Sequence, residues 1–363
     1  MRVALHLGQL LQPVPGGIGR YTEALGAALP EAGVQVQGFA AGTLSQRRRA
    51  IFPDYVDLGW PGGSARYELW HRLRRPALPV RADVVHAPSL AVPPPGPRPL
   101  VVTVHDVAFL RHPDAFTRRG LGFHRRGLEI AYHEARTVVT ASDFSRDELR
   151  RVGFEDARIH VVPHGVQVGQ PEADDVIERR LHRVGVTQPF VVCVGTLEPR
   201  KGHDTLIGAF QAARRELPDL TLALVGPRGW LTVPGLEGAG MHELGKVDEA
   251  TLDALYRRCT VCAVPSRYEG FGLPALEAMA RAATVVAADS TSLPEIVGDA
   301  GVLLPPLDVQ AWANAIVELT CDDAARKELG ERALQRAHTF SWEDSARAHA
   351  EVYAAALSAP ARP

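Results

Sequence analysis

Glu269 and Glu277, eight residues apart, flank the stretch Gly270-Phe271-Gly272-Leu273-Pro274. Gly270 and Gly272 allow a ligand close to the backbone, and Pro274 opens a helix where a missing N–H costs nothing. The N–H groups of a first helical turn favour an anion. Carboxylates placed beside a phosphate would repel it. Glu269 and Glu277 are better explained as acceptors for hydroxyls on either side of that anion, a sugar on one and a ribose on the other. The structural alternative is a helix N-terminus carrying Glu in its first turn, stabilised by the dipole. A second charged locus is Gly195-Thr196-Leu197-Glu198-Pro199-Arg200-Lys201-Gly202-His203. Arg200 and Lys201 precede a helix expected over residues 204–215, and positive charge at its positive end calls for an anion. Two further candidates are His86 and His105, each closing an apolar run.

These residues need elements that hold them at one edge of a sheet. The apolar run 260–264 reads as a buried strand, the strong formers 275–279 as a helix and 284–288 as the next strand, a βαβ unit. Upstream, residues 3–7 read as the first strand, Gly16-Gly17-Ile18-Gly19-Arg20 as a glycine loop and residues 21–29 as a helix. These glycines are not the GxGxxG dinucleotide pattern. Residues 83–88 and 100–106 read as strands whose terminal His86 and His105 sit at carboxyl ends, where open α/β sheets bind ligands. Further strands are expected at 136–141, 159–163, 190–194, 220–225 and 241–245. Ser145 with Glu148 reads as a capping box. Residues 42–80, including Pro61-Gly62-Gly63, resist reading, although 67–73 has the pattern of an amphipathic helix packing on its own domain's sheet. The polar stretch 167–174 reads as a linker, and Ser341 opens a last helix to about residue 357.

The segment from Glu269 to Ala280, E-G-F-G-L-P-A-L-E-A-M-A, resembles the E-x7-E signature of retaining glycosyltransferases of family 4, the large GT-B-fold group that includes bacterial mannosyltransferases. The resemblance covers nearly the whole chain and is strongest over residues 190–305. It implies two doubly wound Rossmann-like domains facing across a cleft: residues 1–168 on the acceptor side, 169–340 binding the nucleotide sugar, and 341–363 crossing back to the first domain. It also implies that Glu269 contacts donor sugar hydroxyls and Glu277 the ribose, within a donor loop of Gly270, Phe271, Gly272 and Leu273. Lys201 matches the clamp lysine of a G-x-L-x-x-x-K-G diphosphate segment, and His105-Asp106 matches a post-strand H-D pair whose His meets the donor sugar. Gly16, Gly17 and Arg20 fall near the donor phosphates and the acceptor, Val247 near the base. Two departures stand out. Thr196 replaces an arginine common after the first glycine, so Arg200 is expected to supply the second charge. His164 stands in P-H-G-V where relatives carry P-N-G-V.

At 363 residues the chain has room for two domains, with 46% hydrophobic and 23% charged residues as in an ordinary globular enzyme. The net charge of −2 argues against a nucleic-acid protein. Its distribution is uneven: residues 1–170 carry 21 Arg against 15 acidic residues, and the remainder 19 Lys or Arg against 27. The basic half is either an Arg-rich solvated surface or a face for an anionic bilayer holding a lipid-linked acceptor. Four Cys imply no disulfide framework, and Cys259-Thr-Val-Cys262, lacking a second pair, reads as core packing. No signal peptide or membrane span is legible, so a cytoplasmic protein is expected.

The combined expectation is a metal-independent hexosyltransferase, since no D-x-D triplet occurs. It needs no cofactor beyond a nucleotide-sugar co-substrate, with GDP-mannose the favoured donor and a glycan, lipid-linked or natural-product acceptor. Two other readings share the architecture. A nucleotide-sugar 2-epimerase would need further acid/base carboxylates. A non-catalytic sugar-nucleotide-binding subunit would have lost Glu269, Glu277, Lys201 and His105, all of which are present.

Overall fold

The computed structural model describes residues 1–59, 63–229, 235, 236 and 238–359, with the backbone alone at Ser64. Pro61, Gly62 and the last residues of the 341–363 segment lie outside the described residues. The chain divides into two compact units, Met1–Gly165 with Ser341–Pro363, and Val166–Phe340.

The first unit is built on seven parallel strands: β1 (Arg2–His6), β2 (Gln35–Ala40), β3 (Tyr55–Asp57), β4 (Val84–Ala87), β5 (Leu100–Thr103), β6 (Thr137–Thr140) and β7 (Ile159–Val161). Their order is β3-β2-β1-β4-β5-β6-β7. From β1 the chain winds outward through β2 and β3, then returns beside β1 at β4 and winds the other way. The switch point therefore lies between β1 and β4, and its loops are those after β1 and β4. β4, β5 and β6 are buried at every position, as helices on both faces of a parallel sheet require.

The second unit holds β8 (Phe190–Val194), β9 (Thr221–Val225), β10 (Met241–Gly245), β11 (Val261–Val264), β12 (Val285–Ala288) and β13 (Val302–Leu304). Their order is β10-β9-β8-β11-β12-β13, again parallel. Here the switch point falls between β8 and β11. Of the CxxC pair, Cys262 is buried within β11 and Cys259 is half-buried just before it, both free thiols.

Two local expectations are corrected, and the unread stretch 42–80 is resolved, its amphipathic segment 67–73 lying within a helix as expected. The first helix is Gly16–Ala28, not 21–29, so Gly16 and Gly17 form its opening turn: Pro15 accepts from the Gly19 amide and Gly16 enters at φ +62. The cap of the Asp143–Arg151 helix is Ser142, whose hydroxyl accepts from the Ser145 amide. Glu148 is drawn away from a capping box by ion pairs with Arg111 and Arg151. The stretch 42–80 contains a helix Gln46–Ile51, the strand β3 and a helix Gly63–Leu73, whose Trp70 is wholly buried against the first sheet's core.

The last helix, Trp342–Ser358, is tied to the first sheet by a chain of buried polar groups. Tyr353 Oη lies 2.8 Å from His86 Nδ1, and His86 Nε2 lies 2.8 Å from Thr103 Oγ1. Thr103 Oγ1 lies 2.8 Å from Tyr21 Oη, and Tyr21 Oη 2.8 Å from His349 Nε2. His349 Nδ1 is 2.7 Å from the Ser345 carbonyl. That carbonyl can only accept, so Nδ1 carries a proton and the neutral Nε2 accepts from Tyr21. Each earlier proton follows: Thr103 donates to Tyr21, His86 Nε2–H to Thr103, and Tyr353 to His86. Every member is satisfied only while both histidines are neutral. Burial keeps them so, lowering His349 to about 4 and His86 well below the ordinary value. His86, a candidate ligand-binding residue from its strand-end position, is therefore engaged in holding the C-terminal helix.

In the unfolded chain these histidines take up a proton near pH 6.5, whereas in the folded chain they resist it. Their contribution is complete above pH 6.5 and is lost as pH falls toward about 4. Urea unfolding midpoints should drop between pH 7.5 and 5.5, and a His349→Gln variant should lose less over that interval. An equal loss would exclude the chain as the cause.

Candidate active site

The second unit brings the two charged loci together at its switch point. The loop after β8 becomes a 3-10 turn, Pro199–Lys201, and Gly202 at φ +70 passes the chain into the helix His203–Ala213. A Cβ at Gly202 would stand 1.9 Å from the Pro265 carbonyl oxygen, so glycine is required both by φ and by the crossing of the loop that follows β11. The Arg267 amide donates to the Arg200 carbonyl at 2.8 Å, tying the two loops.

Across that junction Lys201 Nζ meets Glu269 Oε1 at 2.5 Å. The two side chains are only 13% and 10% exposed, so the pair sits largely out of water. Ser266 Oγ donates to the same carboxylate oxygen at 2.8 Å, and Arg200 stands 4.0 Å from Oε2. Burial pushes the Glu269 carboxyl up, but the Lys201 and Arg200 charges, together with hydrogen bonds from Lys201 and Ser266, outweigh it and hold the group below its ordinary value. Glu269 is thus ionised at neutral pH. Its backbone is fixed as well: the amide donates to Thr291 Oγ1 at 3.0 Å and the carbonyl accepts from Ser292 Oγ at 3.0 Å.

Arg200 also donates to Glu198 at 3.0 Å and to the Tyr268 carbonyl at 3.2 Å. The positive charge at this helix entry therefore meets carboxylates of the chain itself, Glu198 and Glu269, which the sequence argument did not foresee. Arg200 lies beside Lys201 at the switch point; Thr196 is half-buried in the same loop.

Gly270, Phe271 and Gly272 are buried and Leu273 is half-buried. Gly272 caps the helix Leu273–Met279 at φ +107, where a Cβ would stand 2.8 Å from Leu293 Cδ2. Glu277, half-buried on that helix, accepts from the Tyr256 hydroxyl at 3.1 Å. Tyr256 is itself held under Arg281, whose guanidinium carbon is 5.6 Å from its ring centre. Val247 is half-buried just past β10, on the edge strand side.

The remaining sequence candidates belong to the first unit. Gly16, Gly17 and Arg20 are exposed at the start of the first helix. His105 follows β5 and donates from Nε2 to the Pro88 carbonyl at 3.0 Å, which leaves Nδ1 as the acceptor of a neutral ring. Burial lowers its pKa, the Pro88 bond and Asp106 opposing in part. His105 packs edge-on to Tyr21 at 4.9 Å. His164 lies 4.7 Å from Tyr21 and stacks on Trp342 at 6.0 Å, so an aromatic ring at this position packs on the last helix. Ser266, Thr291, Ser292 and Tyr256, which orient the two carboxylates, carry no sequence signal beyond being polar. Their partners lie up to 23 positions away.

Two family descriptions match the chain, Glycosyltransferase Family 4 over residues 15–170 and Glycosyl transferases group 1 over residues 188–322. The O-antigen chain mannosyltransferase B of Escherichia coli is 33% identical over 296 residues, covering 77% of this chain and 76% of that protein. The chain is a family 4 glycosyltransferase. This glycosyltransferase is also similar to the D-inositol 3-phosphate glycosyltransferase of Corynebacterium glutamicum (strain R), with 33% identity over 239 residues, 61% of this chain and 57% of that protein. Its two Rossmann-like sheets are those of the GT-B fold. The solved Anabaena Alr3699/HepE, in complex with UDP and glucose, has a TM-score of 0.73 at 22% identity, covering 98% of this chain and 100% of that one.

A buried ion pair is costly to break from one side, by about 3–5 kcal/mol, because the surviving charge stays desolvated. Lys201→Met and Glu269→Gln should each destabilise this glycosyltransferase in urea unfolding, and the double variant should cost clearly less than their combined effect. Additive losses would show that the two groups do not stabilise one another.

Proposed function

We propose that this glycosyltransferase moves a hexosyl group from a nucleotide-diphosphate sugar to a hydroxyl of a glycan, lipid-linked or small-molecule acceptor. Retention at the anomeric carbon and independence of metal are part of the proposal. The observation that carries it is the contact of Lys201 with Glu269 at the switch point of the second sheet, with Arg200 alongside. A diphosphate leaving group needs fixed positive charge where its own charge develops, and Lys201 and Arg200 supply it. Glu269, ionised and immobilised, accepts from sugar hydroxyls and supports the cationic character of the anomeric carbon. Glu277, oriented by Tyr256, accepts from the ribose. Gly270, Phe271, Gly272 and Leu273 line the donor, and Val247 lies toward the base. His105, Gly16 and Gly17 are assigned to the donor by the family likeness.

In this reading the bond from the anomeric carbon to the phosphate oxygen breaks while the acceptor oxygen attacks from the same face. The acceptor proton passes to the departing phosphate oxygen, so no protein nucleophile is required. GDP-mannose is the first donor to test, supported by the likeness to a mannosyltransferase; UDP-glucose is the second, supported by the ligands of HepE. Peripheral contact with the cytoplasmic face of a membrane belongs to the same proposal. Its support is the helix Arg118–Glu134, where Arg118, Arg119, Arg125 and Arg126 are exposed. Among the described residues no helix is long and apolar enough to cross a membrane.

Thermal-shift screening of nucleotide sugars, followed by hydrolysis assays on the hits, tests the proposal. Glu277→Ala should chiefly weaken nucleotide binding, Glu269→Ala should chiefly lower turnover, and chelation by EDTA should leave the rate unchanged. Negligible effects of both substitutions would refute the assignment. Epimerisation at C2 of the donor, instead of transfer or hydrolysis, would replace it by the epimerase reading.

A further inference from the structure

Four consecutive residues after β12 bear on the loop that carries Glu269. Ser290 Oγ donates to the Ser266 carbonyl at 2.8 Å, which pins the start of that loop. Thr291 Oγ1 accepts from the Glu269 amide and Ser292 Oγ donates to the Glu269 carbonyl, each at 3.0 Å, so both backbone groups of that residue are engaged. Leu293 comes next, and its Cδ2 would stand 2.8 Å from a Cβ placed at Gly272. The segment therefore meets the loop at its beginning, at Glu269 and at its exit into the helix Leu273–Met279.

The segment is itself anchored on both sides. The Asp289 amide donates to the Leu304 carbonyl of β13 at 2.7 Å, and the Leu293 amide donates to the Ser290 carbonyl at 3.2 Å. Ser292 and Leu293 are wholly buried. Between these anchors Thr291 adopts φ +54, one of three non-glycine residues at positive φ among the described residues, with Arg74 and Ala282. A β-branched residue is disfavoured there, because its Cβ crowds the following carbonyl. Glycine would take up this backbone without strain, but it has no side chain. Threonine tolerates the strain and brings a hydroxyl to the Glu269 amide.

Strain of this kind persists where the surrounding contacts over-determine the backbone, and it gathers at functional sites. The alternative is a turn that serves only the fold, and two observations weigh against it. Three successive hydroxyls bond to one partner loop, and the residue on which two of them converge is the buried carboxylate paired with Lys201. Ser266, whose carbonyl Ser290 pins, presents its own hydroxyl to the same Glu269 oxygen that Lys201 meets. A diphosphate that engages Lys201 therefore leaves the carboxylate to Ser266 and to the segment behind it.

We propose that Ser290, Thr291 and Ser292 are positioning residues, a strained strap that keeps Glu269 in place when the donor diphosphate takes Lys201. The unfavourable backbone at Thr291 is retained for the hydroxyl it presents. The proposal rests on the transfer reading for the role of Glu269, and on the strap for how that residue is held.

Thr291→Gly removes the hydroxyl and the strain together, whereas Thr291→Ser keeps the hydroxyl. Turnover of the full chain is read as hydrolysis of GDP-mannose and of UDP-glucose. Thr291→Gly should lower kcat about tenfold with KM within about twofold, and Thr291→Ser should stay within about twofold of the parent in both. On a Glu269→Ala background Thr291→Gly should change kcat by less than about twofold, since the strap acts through that carboxylate. Hydrogen exchange of the Glu269 amide, followed by NMR, should be about tenfold faster in Thr291→Gly and unchanged in Thr291→Ser. Ser292→Ala, with the same expected loss of kcat, serves where Thr291→Gly does not fold. An undiminished kcat in a folded variant, a full loss repeated on the Glu269→Ala background, or Thr291→Ser as slow as Thr291→Gly would overturn the proposal. If Glu269→Ala itself leaves turnover intact, the transfer reading of Glu269 falls. In that case, or if neither donor is hydrolysed, the exchange rates alone judge the strap, and equal rates in the parent and both Thr291 variants overturn it.

Discussion

The buried contact between Lys201 and Glu269 constrains the second unit more than any other interaction. Two oppositely charged groups removed from water must stay together, since either alone would be left unpaired in a medium that solvates it poorly. That demand fixes the loops on which they ride. Gly202 has to be glycine because the loop after β11 crosses against it, and the Arg267 amide has to reach the Arg200 carbonyl. The backbone of Glu269 is held on both sides by Thr291 and Ser292. A site whose leaving group departs with the bonding electron pair gains from such fixation, because donors and charges already in place do not reorganise as charge develops.

The first unit is organised on the opposite principle. Its central polar chain, from Tyr353 through His86, Thr103 and Tyr21 to His349, contains no charge and works by the directionality of hydrogen bonds alone. One carbonyl at the end of the chain decides the proton on every member before it. This lets the C-terminal helix, far from β4 and β5 in sequence, dock on them without burying an ion. His105 sits against the same aromatic cluster, so the histidine matched to the family's sugar-contacting residue is positioned by Tyr21 and Pro88. The two units thus share a sheet architecture with a switch point and furnish it differently, one with paired charges and the other with neutral rings and hydroxyls.

Much of the architecture was legible in the residue pattern. Short apolar runs such as Val285–Ala288 and Leu100–Thr103, each opened by β-branched residues or leucine and too short for a helix, read as buried strands, and both are fully buried. The loop from Ser266 to Pro274 was legible because glycine, proline and spaced carboxylates each carry a local conformational or chemical meaning. The opening of the first helix was misjudged because two glycines read as loop, and their neighbour Pro15 supplied the missing turn. The capping of the Asp143–Arg151 helix was misjudged because Glu148 had better partners in Arg111 and Arg151.

By itself the amino-acid sequence determined the element types, the family and the identity of the charged residues near the helix entries, since these depend on spacing over a few residues. Only the tertiary structure decided which charge meets which. It set Lys201 against Glu269, 68 positions apart, and His86 against Tyr353, 267 apart. It also gathered His6, Tyr67 and Trp70 around Gly8. Such pairings follow from strand order and loop crossing, and no local pattern of residues encodes them.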